Sequence, residues 1–255
     1  MAIGSIVARF VQHLRNKLRG QERSPGFAVL GNQVSATVVI TSYNHPSGLR
    51  AAYESICTQS WKDTQIIIAD DNSSDPKVRE YLLSLPENEK LVVFNSGVSD
   101  EDRPKTARYA TQINTAVQMF ATGKYLFFLP DDDWFMSEKV ERQVTAMFHN
   151  DWDVSYSSQA IVDNGKRIGQ RMATEVLDDA YNIVDHGQIC VSRAAFDAVG
   201  GWPDDPQFWS GADAYFWLRL SSKGYKFHPV NEVLCTKVKR DGVQSKIFSG
   251  RKPYE

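Results

Sequence analysis

Short, largely apolar runs alternate with amphipathic stretches from Val34 onward. Continuous apolar runs are typical of strands buried on both faces, whereas apolar positions three and four residues apart indicate a helix. The pattern predicts strands over 37–42, 64–69, 91–95 and 125–129, and helices over 47–59, 76–85, 106–121 and 137–148. Such alternation is typical of an α/β fold with a mostly parallel sheet covered on both faces.

The second half of the chain is less regular. Its pattern predicts strands over 154–157, 188–191 and 226–230, with a helix near 214–222. For the helix over 137–148, Ser137 is a suitable N-cap residue, because its hydroxyl can accept a hydrogen bond from a free backbone N–H. We therefore expect one large α/β domain over residues 33–240, followed by a tail over 241–255.

The first 24 residues stand apart from this domain. Apolar residues recur at helical spacing from Ile3 to Leu18, and no acidic residue precedes Glu22. The basic residues of this segment are Arg9, Arg15, Lys17 and Arg19. The pattern predicts an appended amphipathic, basic helix over residues 1–24. It leaves open whether this helix packs on the main domain, contacts a second copy in a homodimer, or lies on a membrane surface.

Composition narrows the classes of partner. The formal net charge is −2, so the chain as a whole has no attraction to nucleic acid, and we expect no nucleic-acid partner. The three cysteines have neither metal-ligand spacing nor a C-x-x-C pair. No apolar stretch reaches the ~20 residues needed to cross a bilayer. We expect a cytoplasmic protein that the N-terminal segment could hold at the inner membrane face.

Carboxylates follow two of the predicted strands. Asp70 and Asp71 come after the second strand, and the triplet Asp131–Asp133 comes after the fourth. In an open α/β sheet, ligands bind beyond the carboxyl ends of the strands. So many neighbouring carboxylates favour a divalent cation, and oxygen ligands suit Mn²⁺ or Mg²⁺. Part of the pattern has a simpler explanation, because Asp and Asn are common where strands end and helices begin.

Several other enzyme classes fit poorly. No G-x-G-x-x-G and no Walker loop follows the first strand, which disfavours a dinucleotide dehydrogenase and a P-loop ATPase. A haloacid-type phosphatase would need D-x-D followed by Thr or Val, but Trp134 and Phe135 follow the triplet. A sugar-1-phosphate nucleotidyltransferase would need a Gly-rich basic loop where this chain has SYNHPSG.

Five motifs together resemble one family. VVITSYNH, IIIADDNSSD, GKYLFFLPDDDW, VGGWPDD and GADAYFWLRLSSKGYKF are similar, in order and spacing, to glycosyltransferase family 2 of the GT-A fold. The resemblance covers about residues 35 to 230, and RPKTARYATQIN is most similar to the spore-coat polysaccharide members. It implies a single Rossmann-like nucleotide-binding domain with a mostly parallel central sheet and an acceptor-binding second half. It also implies inverting transfer from a nucleotide-diphosphate sugar to a hydroxyl of a glycan or lipid-linked glycan. The resemblance favours UDP as the nucleotide.

The resemblance also assigns roles to residues. The positions that match nucleotide contacts are Thr41, Tyr43, Asp71, Arg103, Arg108 and Asp131. Arg103 or Arg108 would pair with phosphate oxygens. Asp132 matches the principal ligand of Mn²⁺ or Mg²⁺, while Asp133 could form an alternative D-x-D with Asp131. Pro130 replaces the usual first acid of this motif, so the assignment within the triplet stays open.

The second half of the resemblance implies the base. The family's Glu-Asp motif reads Ala212-Asp213 here, which points to Asp213 as the group that deprotonates the acceptor. Expected donor or acceptor contacts are His186, Trp202 and Trp209, with Tyr215 and Trp217 as further aromatic candidates. Core packing is the alternative for each, and His186 has two more alternatives, a capping role and a role as a distal metal ligand. Because Pro130 and Ala212 depart from the family pattern, a catalytically silent GT-A module that binds nucleotide-sugar or polysaccharide is the rival interpretation.

Overall fold

The computed structural model describes residues 35–239. The predicted amphipathic helix over 1–24 and the predicted tail over 241–255 lie outside the described residues. Within residues 35–239, no helix is both long and apolar enough to cross a bilayer.

The described chain contains eight strands and six α-helices. The strands are β1 (Ala36–Ser42), β2 (Thr64–Asp70), β3 (Leu91–Asn95), β4 (Tyr125–Pro130), β5 (Val154–Asp163), β6 (Lys166–Arg171), β7 (Ile189–Ser192) and β8 (His228–Val238). The helices are α1 (Pro46–Cys57), α2 (Pro76–Ser84), α3 (Arg108–Met119), α4 (Lys139–Asn150), α5 (Arg193–Ala198) and α6 (Ala212–Ser222). Single 3₁₀ turns cover Arg103–Lys105, His186–Gln188 and Pro206–Phe208.

All eight strands form one sheet in the order β3-β2-β1-β4-β7-β5-β6, with β8 paired to β5. Strands β3, β2, β1 and β4 are parallel, as their continuous apolar sequences predicted. Strand β7 runs antiparallel to both β4 and β5, whereas β8 runs parallel to β5. The mostly parallel central sheet of the predicted α/β fold is confirmed.

The strand register decides where the polar residues meet. Ser42 pairs with Asp70 across β1 and β2, and Thr41 pairs with Pro130 across β1 and β4. The carboxyl ends of these three strands therefore lie at one edge of the sheet. The Asp70–Asp71 pair and the Asp131–Asp133 triplet, which follow β2 and β4, are brought to this edge.

Successive residues of the central strands enter opposite faces of the sheet. Val39 and Phe128 are buried in one apolar cluster, whereas Ile40 and Phe127 are buried in the other. The first cluster also contains the aromatic side chains of the second half. The two apolar clusters therefore cover the two faces of the sheet, and polar side chains lie at its carboxyl edge.

Strand β8 (His228–Val238) extends beyond the predicted 226–230, and three further features differ from the sequence predictions. Helix α4 has Glu138 rather than Ser137 at its N-cap position, and no side chain caps it. Strand β6 was not predicted, because it pairs with β5 at the end of the sheet and its mostly exposed residues lack an apolar pattern. The six-residue helix α5, which Ser192 caps, is too short to show helical periodicity.

Candidate active site

A cleft of about 560 Å³ opens at the carboxyl edge of the sheet. One wall comes from the ends of β1 and β4, and the facing wall comes from the segment 182–186 and the start of α6. Predicted site residues that line it are Thr41, Asp132, His186, Trp209 and Asp213. The predicted metal ligand and the predicted base therefore face one cavity, although 81 positions separate them in the chain.

Asp131 is buried and holds the loop after β1. Its Oδ2 accepts hydrogen bonds from Ser42 Oγ and from the backbone N–H of Tyr43, both at 3.0 Å. Its own N–H donates to the carbonyl of Thr41 at 3.0 Å. This carboxylate fixes the backbone of the residues that the sequence assigns to nucleotide contact, whereas its own contact with the nucleotide stays a prediction.

Gly48 is required beside Asp131. A Cβ at position 48 would lie 2.0 Å from the carbonyl oxygen of Asp131 and about as close to the ring of His45. The His45 ring itself contacts that carbonyl, with Nδ1 3.0 Å from the oxygen. The first turn of α1 can therefore pass close to the aspartate triplet only because residue 48 has no side chain.

Asp133 is 1% exposed and is bound within the protein. Its Oδ1 accepts from the N–H of Val238 at 2.7 Å, and its Oδ2 accepts from Nζ of Lys237 at 3.2 Å. Burial raises the pKa of Asp133 to about 7, while the charge of Lys237 acts in the opposite direction. Asp132 is the member of the triplet that lines the cleft.

Asp71 and the two predicted arginines form one cluster, in which Asp71 is buried and both arginines are partly buried. The Arg108 guanidinium donates to Oδ1 of Asp71 at 2.6 and 3.0 Å, and Arg103 donates to Oδ2. Ser96 Oγ adds a hydrogen bond to Oδ1 at 3.0 Å. The Arg103 guanidinium also lies 4.0 Å from the centroid of the Tyr43 ring. Both arginines are held by Asp71, and neither lines the cleft.

Asp213 lies in the first turn of α6, at the opposite wall. Its Oδ2 is 3.9 Å from Nδ1 of His186, and its Oδ1 accepts from the N–H of Ala214 at 2.9 Å. Burial raises the pKa of Asp213, while His186 acts to lower it. The His186 ring packs against Tyr109 and Trp202, with centroids 6.1 and 5.8 Å away. A carboxylate with a raised pKa at a cleft wall has the chemistry of a general base.

The cleft also contains a charged cluster that the sequence did not indicate. Nζ of Lys237 on β8 lies 3.2 Å from Asp133 and 3.3 Å from Oδ2 of Asp185. Asp185 begins the turn His186–Gln188, where it accepts from the N–H of Gly187 at 3.1 Å. Arg171 approaches Asp185 to 3.8 Å. No motif marks Asp185, Arg171 or Lys237, and Lys237 lies beyond the strand predicted over 226–230.

The aromatic candidates separate into two groups. Trp202 is 1% exposed, stacks on Phe216 at 5.2 Å and packs edge-on against Phe128 at 5.2 Å. The prediction that Trp202 contacts a sugar is therefore corrected, because its ring belongs to the core behind His186. Trp217 is likewise buried. Trp209 and Tyr215 remain exposed, and Trp209 lines the cleft.

The cleft could hold a divalent cation only together with a bound ligand that supplies some of the coordinating atoms. Within residues 35–239, no three His, Cys, Asp or Glu side chains lie close enough together to hold a metal ion. Mg²⁺ in nucleotide enzymes is commonly bound by one or two carboxylates, with phosphate oxygens and water completing its shell. Asp132 supplies such a carboxylate on the cleft wall. The residues present thus fit a cation that arrives with a diphosphate.

A mostly parallel α/β sheet with a carboxylate-lined cleft at its carboxyl edge defines a GT-A-type domain. The family model of glycosyl transferase family 2 matches residues 37–192, and the chain belongs to this family. It is 36% identical to protein CgeD of Bacillus subtilis over 224 residues, covering 82% of this chain and 51% of CgeD. The chain thus spans about half the length of CgeD.

Two further proteins are similar. The chain is 24% identical over 184 residues to WfgD of Escherichia coli, named as a UDP-Glc:alpha-D-GlcNAc-diphosphoundecaprenol beta-1,3-glucosyltransferase, covering 72% of this chain and 68% of WfgD. Among solved structures, S. aureus TarS in complex with UDP-GlcNAc matches with a TM-score of 0.63 at 17% identity. That match covers 82% of this chain and 60% of the TarS chain, and it confirms the fold.

Proposed function

We propose that this protein is an inverting glycosyltransferase that moves a sugar from a UDP-sugar to a hydroxyl of a glycan or lipid-linked glycan. The observation that carries the proposal is the shared cleft. Asp132, at the end of β4, and Asp213, in the first turn of α6, line the same cavity of about 560 Å³. Family membership supports glycosyl transfer as the class of reaction.

The donor's nucleoside is proposed to lie at the ends of β1 and β2. Thr41, Tyr43 and Asp71 lie at this edge, and the Tyr43 ring is 44% exposed. Because Arg103 covers this ring and binds Asp71, it would contact a base stacked there. WfgD is named for UDP-Glc and the TarS complex contains UDP-GlcNAc, which supports uracil as the base.

Asp132 is proposed to hold Mn²⁺ or Mg²⁺ together with the donor's diphosphate. A bound divalent ion would offset the negative charge that develops on the leaving UDP. Asp133 is a weaker candidate, because Lys237 and Val238 already occupy its two oxygens. The chain's own contribution is to keep Asp132 at the end of a rigid buried strand, which fixes the position of the diphosphate.

Asp213 is proposed to act on the acceptor. Its carboxylate takes the proton from the acceptor hydroxyl as that oxygen bonds to the anomeric carbon. The bond between this carbon and the β-phosphate oxygen breaks at the same time and releases UDP. Attack from the face opposite to UDP inverts the anomeric configuration. Trp209, exposed on the same wall, is proposed to stack on the apolar face of an acceptor sugar.

A catalytically silent binding module is the second candidate. Two sequence features favour it, namely Pro130 in place of the first acid of the metal motif and Ala212 in place of a glutamate. Such a module would bind the nucleotide-sugar but would release no UDP from it.

One donor screen separates these candidates. The full chain is incubated with Mn²⁺ and a panel of UDP- and GDP-sugars, and both the melting temperature and the released nucleoside diphosphate are measured. If the protein is a transferase, one donor class raises its melting temperature, and the protein slowly hydrolyses that donor. Stabilisation without UDP release, also in the presence of glycan acceptors, would favour the silent module. No stabilisation by any donor would overturn the proposal.

The N-terminal segment 1–24 is proposed to bring the domain to its acceptor. A basic amphipathic helix binds anionic membranes with ~1 kcal/mol per basic residue, which suits a lipid-linked acceptor. The alternatives are packing on the main domain and contact with a second copy of the chain. Co-sedimentation with anionic vesicles compares the full chain with a variant that begins at Gly26. Loss of pelleting on truncation supports the membrane role, whereas equal pelleting with a change from dimer to monomer supports the homodimer.

A further inference from the structure

Basic side chains on the cleft wall are few and come from the second half of the sheet. Within the described part of the chain, the lysine and arginine residues that line the cleft are Arg171 and Lys237. Arg103 and Arg108, the basic residues that the sequence assigns to the donor phosphates, are bound to Asp71 instead. The positively charged side chains that a diphosphate would meet beside Asp132, Asp185 and Asp213 therefore lie on β6 and β8.

Lys237 is held in place before any ligand binds. Its Nζ lies 3.2 Å from Asp133 and 3.3 Å from Asp185, and its side chain is only 19% exposed. An ammonium group has three N–H donors, and within residues 35–239 two of them are accounted for by these carboxylates. Because Lys237 lines the cleft, its remaining N–H is the one that can reach a ligand bound there. Because the side chain is already ordered, a new hydrogen bond costs little additional rotamer entropy.

The strand order indicates which part of the donor reaches Lys237. The proposed nucleoside contacts lie at the ends of β2 and β1, and Asp132 follows β4, the next strand. Lys237 lies on β8, which pairs with β5, two strands beyond β4. A nucleotide laid along this edge with its base at β2 therefore presents its terminal phosphate toward Lys237.

We propose that Lys237 is a donor-binding residue that gives its third N–H to the terminal phosphate of the nucleoside diphosphate. This inference rests on the proposed function, because it presumes that the cleft takes a UDP-sugar. It implies that the protein prefers nucleoside diphosphates to monophosphates. The residue that confers this preference lies on β8, a strand that no sequence motif marks.

The test compares UDP with UMP, which lacks the terminal phosphate. Calorimetric titrations in MnCl₂ are made with the full chain, Lys237→Met, Lys237→Arg, and the control Lys239→Met. Lys239 is a matched control because it lies two residues further on and is exposed. Within residues 35–239, its ion-pair partner is Asp163, at 3.9 Å. We expect Lys237→Met to weaken UDP binding by about tenfold to a hundredfold, the range for a lost charged hydrogen bond.

UMP affinity distinguishes a contact with the terminal phosphate from a structural role, because structural damage to the cleft would weaken UMP binding as well. We expect Lys237→Met to bind UMP as the unmodified chain does, and Lys237→Arg to keep most of the preference for UDP. If Lys237→Met lowers the melting temperature strongly, Lys237→Gln replaces it, because an amide still donates between Asp133 and Asp185. An unchanged ratio of UMP to UDP dissociation constants in Lys237→Met, or in Lys237→Gln where it replaces Met, would overturn this inference alone. Absence of UDP binding by the unmodified chain would overturn the proposed function as well.

Discussion

Nδ1 of His186 lies 3.9 Å from Oδ2 of Asp213, so a ring from the turn before β7 faces the carboxylate at the start of α6. His186 itself packs against Tyr109 and Trp202, and Trp202 is anchored in the core. The contact therefore joins the proposed base to the rigid interior rather than to a surface loop. His186 is in this sense a positioning residue for Asp213.

The first prediction concerns the metal ligand. Asp132→Asn should abolish the Mn²⁺-dependent part of UDP binding, because it removes the one carboxylate of the aspartate triplet that lines the cleft. The fold should persist, since strand-end carboxylates contribute little to the apolar core. Titration calorimetry with and without Mn²⁺ measures the effect. Asp151→Asn, at an exposed position after α4, is the control and should bind like the unmodified chain. Unchanged Mn²⁺ dependence in Asp132→Asn would reject this residue as the ligand.

The second prediction concerns the base. Asp213→Asn should keep UDP affinity but lower turnover by ~10²–10⁴-fold, because the amide cannot accept the acceptor's proton. Initial rates with the donor found by screening measure this loss, and Asp178→Asn, at an exposed side chain, is the control. NMR of the product should show an inverted anomeric centre. A retained configuration would rule out single displacement and require another role for Asp213.

The third prediction concerns pH. Burial raises the pKa of Asp213, so the acid limb of kcat/KM should lie above the ordinary aspartate pKa of about 3.9. Activity should fall as the pH is lowered, because protonation removes the acceptor lone pair. The positive charge of a protonated His186 acts to lower the pKa of Asp213. His186→Phe should therefore shift the acid limb to higher pH in a pH–rate profile, and an unmoved limb would contradict their coupling.

The fourth prediction concerns stability. Gly48→Ala should destabilise the fold by about 1–3 kcal/mol, because the added Cβ meets the Asp131 carbonyl at 2.0 Å and a backbone atom cannot move aside freely. Chemical denaturation measures the free energy of unfolding. Gly169→Ala is the matched control, because its Cβ would meet only Ile161 at 3.9 Å. Equal stability of the two variants would contradict the close packing of α1 on the aspartate triplet.

The sequence by itself determined the elements of the first half of the domain. Continuous apolar runs such as Tyr125–Leu129 specify buried parallel strands, because both faces of such a strand must be covered. Parallel strands align their carboxyl ends, so the aspartates after β2 and β4 could be placed at one edge without coordinates. The same reasoning could not place β6 or α5, whose sequences are exposed or too short to carry a period.

The tertiary structure decided which side chains face the cleft. Sequence alone left Asp132 and Asp133 as alternatives, and the distinction comes from Lys237 and Val238, more than 100 positions further on, which bind Asp133. It also placed Arg103 and Arg108 on Asp71, and Trp202 in the core. Local patterns encode the type and the buried face of an element, because those depend on neighbours in the chain. The partner of a charged or aromatic side chain depends on distances between remote segments, which only the packed fold fixes.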